Sequence, residues 1–164
     1  MKKNKSSKNW INKQKKDFYV RESKIQGYRS RSAFKLIEID QKFNFLSDSK
    51  FLLDLGSTPG SWSQVASEKI KNGKILSVDI KTMLPISKVT FIKGDFTSLE
   101  TQSHIMNFFN TKIDIVVSDM AHNTTGNKRL DSLRTGNLCL NALEFSSKIL
   151  NFNGVFISKV FMGS

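Results

Sequence analysis

At 164 residues, 38% hydrophobic and 10% aromatic, the chain is large enough for one domain with a real core and too short for two. No run of about 18 apolar residues is available for a membrane helix. No apolar segment follows the basic N-terminus as a secretory signal requires, and the lone Cys139 excludes an internal disulfide and fits a reducing cytoplasm.

The net charge of +12 is unevenly spread. Residues 1–35 hold twelve Lys and Arg against only Asp17 and Glu22, whereas the other residues hold fourteen against twelve. Such an arm suits a polyphosphate partner, whose counterions are released on binding. A solvated tail or a patch for anionic lipid would carry the same charge. Trp10, Phe18, Tyr19, Tyr28 and Phe34 lie among the charges, and bases stack on aromatic faces, which favours nucleic acid. His104, His122 and Cys139 lack zinc-ligand spacing, so no metal is expected.

In chain order, residues 1–14 are Lys, Asn and Ser-rich and predict disorder in the free chain. A short helix over roughly 15–22 is followed by a turn at Gln26–Ser30. Ser30 or Ser32 then caps a helix to Phe43, with Phe34, Ile37 and Ile39 as its apolar spacing. Phe51–Leu55 reads as a buried strand closed by Gly56, and Ser61–Lys71 as a helix. Strands at Lys74–Ile80 and Val89–Lys93, a helix at Ser98–Phe109, a strand at Ile113–Ser118 and a helix at Leu130–Leu150 follow. Asn153-Gly154 turns into a last strand, Val155–Phe161. Strands alternating with helices predict an α/β fold: a mostly parallel, doubly wound, Rossmann-like sheet with helices on both faces.

In such folds ligands sit beyond the carboxyl ends of the strands. Those ends carry Gly56–Gly60, Asp79, Asp95, Asp119 and Lys159. The loop DLGSTPGSW (54–62) is neither GxGxxG nor a phosphate-binding P-loop, which argues against a dinucleotide or nucleoside triphosphate. Asp79 follows Gly56 by 23 residues, the offset of an acid that accepts hydrogen bonds from adenosine ribose hydroxyls. Asp95 suits an adenine amino group, or equally a helix cap. An adenosine without phosphates is the pattern of S-adenosylmethionine. Lys159, read as mid-strand in SKVF, is costly to bury unless it is paired or functional. Beside a cofactor it would orient or deprotonate a hydroxyl, with Asp119 holding it.

DLGSTPGSWSQ (54–64), SVDI (77–80), GDF (94–96), SDMAHNTTG (118–126) and SKVFMG (158–163) occur in this order. Together with YVRESKIQGYRSRSAFKLIEID (19–40), they resemble the FtsJ-like ribosomal RNA 2′-O-ribose methyltransferases over nearly the whole chain from about residue 8. The resemblance implies S-adenosylmethionine as cofactor and a Lys-Asp-Lys-Glu tetrad of which Lys35, Asp119 and Lys159 are three members. It implies cofactor contacts at Gly60, Trp62, Asp79, Asp95 and Asp119. The tetrad glutamate and the last strands of that family's sheet would lie past residue 164. His122 stands where the family usually has proline, and Ser57-Thr58 replace small residues.

These readings lead us to expect a basic RNA-binding arm over residues 1–30 and a methyltransferase domain, incomplete at its C-terminus, over residues 31–164. The expected enzyme is a cytoplasmic, monomeric uridine-2′-O-methyltransferase acting on the A-loop of 23S rRNA in the large ribosomal subunit, without metal or membrane. The alternatives are a non-catalytic RNA- and cofactor-binding remnant and a nicotinamide dehydrogenase, which the loop sequence disfavours.

Overall fold

The computed structural model describes residues 17–121 and 125–160, without the Lys128 side chain. The expectations for residues 1–14, for His122 and for Phe161 lie outside the described residues. Two helices, α1 (Phe18–Ile25) and α2 (Ser32–Phe43), precede β1 (Phe51–Leu55), α3 (Ser61–Lys69), β2 (Lys74–Asp79) and β3 (Val89–Lys93). Then come α4 (Leu99–Phe109), β4 (Ile113–Ser118), α5 (Lys128–Ile149) and β5 (Leu150–Ser158). The five strands form one parallel sheet in the order β3-β2-β1-β4-β5. The order reverses between β1 and β4, so the crevice that binds ligands in doubly wound folds opens there, at the carboxyl ends.

Alternation along β1 decides what each face buries. Leu53 and Leu55 join Leu76, Val78 and Val116 beneath α4 and α5, against Ile105, Phe109, Ala142 and Phe145. Leu52 turns the other way, with Ile75, Ile115 and Val117, onto Ala33, Leu36, Trp62 and Val65 from α2 and α3. Both faces are covered, which is why the strands read as apolar runs rather than as alternating polar and apolar residues.

Several boundaries depart from the sequence reading. The first helix runs Phe18–Ile25, because Asp17 accepts hydrogen bonds from the Tyr19 and Val20 N–H groups and caps it. On α2 the buried positions are Ala33, Leu36 and Asp40 rather than Phe34, Ile37 and Ile39. The Asp40 carboxylate is buried because it accepts the Phe45 and Leu46 N–H groups, which closes the turn after the helix. The N-cap position of α2 is Arg31, which makes no side-chain capping bond, rather than Ser30 or Ser32; Ser30 Oγ accepts the Ser32 N–H at 3.3 Å.

β5 starts at Leu150, directly after α5, and a bulge between its Ile113↔Leu150 and Ile115↔Val155 pairings takes up Asn153-Gly154. It ends at Ser158, so Lys159 is not mid-strand. Its N–H makes a final bond to Ser118 O, and its side chain projects from the strand end.

Candidate active site

β1, β2 and β4 bring three carboxylates to the carboxyl end of the sheet: Asp54, Asp79 and Asp119. Asp54 sits on the α3 face of β1 and is 1% exposed. Ser63 Oγ of α3 hydrogen-bonds its Oδ2 at 2.5 Å, and Ser77 Oγ of β2 hydrogen-bonds Ser63 at 2.6 Å. Its other oxygen, Oδ1, is buried without a hydrogen-bond partner. Burial pushes the Asp54 carboxyl up to about 7; the Ser63 bond opposes this, and the negative charges of Asp119 and Asp79 add to it.

Asp79 ties down the glycine loop. Its Oδ2 accepts the Thr58 N–H at 2.9 Å and its Oδ1 the Lys81 N–H at 2.8 Å. Two glycines let the loop follow this path. Gly56 has φ +70, and a Cβ there would lie 2.0 Å from Met120 Cγ. Gly60 has φ +107, and a Cβ would meet Ile86 and Met83 at 2.7 Å and Arg29 Nη1 at 2.9 Å. Gly60 precedes α3, whose first-turn N–H groups at Ser61, Trp62 and Ser63 have no partner within the helix and face the loop.

Lys159 and Asp119 meet across the ends of β5 and β4. Lys159 Nζ is 2.6 Å from Asp119 Oδ1 and donates to Asp119 O at 2.8 Å, with both side chains 21% exposed. An ammonium held by a carboxylate and a carbonyl, yet open to solvent, can take part in proton handling at a substrate hydroxyl.

The remaining expected site residues are placed differently. Asp95 is exposed, and its Oδ1 accepts the Thr97 N–H and hydroxyl at 2.9 and 2.7 Å, a local turn ahead of α4. The Trp62 indole is buried between α2 and α3 and donates to Ser32 O at 2.8 Å. Lys35 is exposed on α2, and among the described residues no ion pair joins it to Asp119. No group of three or more His, Cys, Asp or Glu that could hold a metal occurs among the described residues. Among them, too, no helix is long and apolar enough to cross a membrane.

The sequence reading missed Asp54 as a site group, together with Ser63, Ser77 and Arg29. For Asp54 the signal was present: an acid inside the apolar run FLLDL is as costly as the lysine that was singled out. The others become visible only in three dimensions.

A five-stranded parallel sheet in this order, with a glycine loop and acids at its carboxyl end, is the Rossmann-like methyltransferase fold. The MycE methyltransferase of the mycinamycin biosynthetic pathway, solved with Mg, SAH and mycinamycin VI, shares that fold. The match has a TM-score of 0.53 and 18% identity, over 77% of this chain and 32% of that one. Residues 28–164 match the FtsJ-like methyltransferase family, and the chain belongs to it.

Ribosomal RNA large subunit methyltransferase E of Pelagibacter ubique is 54% identical over 100% of this chain and 81% of its own length. Its namesake in Rickettsia akari is 46% identical over 96% of this chain and 72% of its own. A crystal structure described as a ribosomal RNA methyltransferase of Plasmodium falciparum has a TM-score of 0.76 and 39% identity. It covers 84% of this chain and 80% of that one.

Proposed function

We propose that this chain transfers a methyl group from S-adenosylmethionine to a ribose 2′-hydroxyl of large-subunit ribosomal RNA, with a uridine in the A-loop of 23S rRNA as the target. It would act in the cytoplasm as a monomer on the large ribosomal subunit. The observation that carries the proposal is the charge contrast. A protein of net charge +12 gathers Asp54, Asp79 and Asp119 around a glycine loop, and it ion-pairs the last of them to a lysine at the same edge.

The residues present fit this cofactor. Its sulfonium and amino groups are cationic, and the Asp79 and Asp119 carboxylates, with the orphaned Asp54 Oδ1 as a further acceptor, complement them. Gly60 and the first-turn N–H groups of α3, Trp62 among them, would receive its carboxylate. Asp79 would hold the ribose and Asp95 the adenine, Asp79 keeping its loop bonds through remaining lone pairs. When bound, the cofactor supplies an electrophilic methyl group.

The chain's own residues do the rest. Asp119 holds Lys159 in place, and Lys159 Nζ, as the neutral amine left once its ammonium proton is released to solvent, would orient the 2′-hydroxyl and take its proton as the oxygen attacks. Lys35, from the face of α2, would add positive charge beside the RNA. Proton handling of this kind contributes about 10²–10⁴-fold, and positioning supplies most of the remainder. The basic segment over residues 1–30, proposed here as the RNA-binding arm, would dock the phosphate backbone and offer Tyr28 for stacking.

The test is methyl transfer from labelled S-adenosylmethionine to unmodified large ribosomal subunits. Label on a ribose 2′-oxygen with the wild type, and none with Lys159→Ala while cofactor binding persists, is expected. Near wild-type transfer by Lys159→Ala would remove its role. Cofactor binding without any wild-type transfer would favour the non-catalytic reading.

A further inference from the structure

One cation of the basic segment is turned inward. The Arg29 guanidinium donates from Nη1 to Pro59 O at 2.9 Å and to Leu84 O at 2.7 Å, and from Nη2 to Pro85 O at 2.8 Å. Pro59 belongs to the glycine loop after β1; Leu84 and Pro85 belong to the connector between β2 and β3. Arg29's own N–H is fixed as well, to Gln64 Oε1 of α3 at 2.9 Å. Around it, Gln64 Nε2 donates to Gly27 O at 3.1 Å, Tyr28 OH to Glu68 Oε2 at 3.0 Å, and Ser30 Oγ lies 2.8 Å from Ser61 Oγ. Residues 27–30 are therefore stitched to the helix whose N-terminus faces the site.

The second observation is Gly60. A Cβ there would collide with Arg29 Nη1, Met83 Sδ and Ile86 Cδ1 at 2.7–2.9 Å. The connector and the arginine thus lie directly over the glycine of the cofactor loop.

We propose that Arg29 is a positioning residue for cofactor binding, clamping the glycine loop and the β2–β3 connector together from a segment whose neighbours carry the RNA-facing charge. Arg31 shows the contrast: it sits two residues away, is exposed, and pairs with Asp17 on the same arm. Three of the five guanidinium donors are committed to carbonyls of two different loops, a geometry that a point-like ammonium does not reproduce. Without the clamp, both loops must be ordered by the cofactor itself, and its affinity falls by that cost. This inference rests on the cofactor reading above.

The test measures S-adenosylhomocysteine binding by calorimetry for the wild type, Arg29→Lys, Arg29→Ala and the charge-matched control Lys112→Ala, which lies at the opposite end of the sheet. Arg29→Lys keeps the charge and aliphatic stem and serves where Arg29→Ala fails to fold. We expect both Arg29 variants to bind at least about tenfold more weakly and Lys112→Ala to bind as the wild type does. For Arg29→Lys, KM for S-adenosylmethionine should rise while kcat at saturation stays within about threefold, and affinity for an rRNA fragment should hold within about twofold. Wild-type affinity for S-adenosylhomocysteine in Arg29→Lys would overturn the clamp, as would loss of RNA affinity with cofactor affinity kept. If the wild type itself binds no S-adenosylhomocysteine, the cofactor reading falls, and the clamp with it.

Discussion

Replacing Asp54 by Asn should change how stability depends on pH. Asp54 is wholly buried, one of its oxygens has no partner, and burial pushes its carboxyl to about 7 from an ordinary value near 3.8. Between those two values the folded protein holds a proton that the unfolded chain has released. Stability then falls by about 1.4 kcal/mol per pH unit as pH rises, and levels off above the folded value. The full penalty reaches about 4 kcal/mol.

Between pH 5.5 and 8 the wild type should lose about 2 kcal/mol through this group alone. Asp54→Asn cannot ionise and should lack that portion of the slope. Urea unfolding of both proteins at the two pH values gives a difference of differences from which titrations common to both cancel. Parallel profiles, with a residual below about 0.5 kcal/mol, would refute the claim that Asp54 carries a raised, burial-driven value.

Further outcomes follow from the same geometry. Lys159→Arg should keep an ion pair with Asp119 yet lose about 10²-fold or more in kcat, because a guanidinium does not accept a proton; single-turnover transfer at saturating cofactor reads this, and retained turnover would remove the proton-taking role. Gly60→Ala should cost about 1–3 kcal/mol in chemical denaturation, since φ +107 is a strained conformation for alanine and the new Cβ meets Arg29, Met83 and Ile86. It should also weaken S-adenosylhomocysteine, and an unchanged unfolding midpoint would contradict the observed loop path. Leu53→Ala, at 0% exposure in the central strand, should cost about 2–5 kcal/mol with cofactor contacts untouched, measured by the same unfolding curve.

Much of the fold was legible in the sequence because strand burial on both faces leaves a local trace. FLLDL, KILSVD and IDIVVS are apolar runs of strand length bounded by glycine or polar residues, and the helices between them have caps such as Ser98. Boundaries were less legible where a bulge or a side-chain cap overrides the pattern. β5 begins five residues before the expected strand start at Val155, and α1 is set by Asp17. The buried face of α2 was misjudged because Asp40, though charged, is drawn inside by the backbone donors it accepts.

What the sequence determined alone is the order of chemistry along the chain: a basic segment, then a glycine loop, then an acid or a lysine at successive strand ends. Periodicity and turn residues act over a few positions, and a parallel sheet brings every strand end to one edge. What only the tertiary structure decided is which of those groups are neighbours. Ser63 and Ser77 reach Asp54 from α3 and β2, Lys159 reaches Asp119 from 40 residues away, and Arg29 spans 30 and 55 residues to bind two loops. No local pattern encodes such contacts, because they depend on strand register and helix packing. Those are set by burial of the core as a whole.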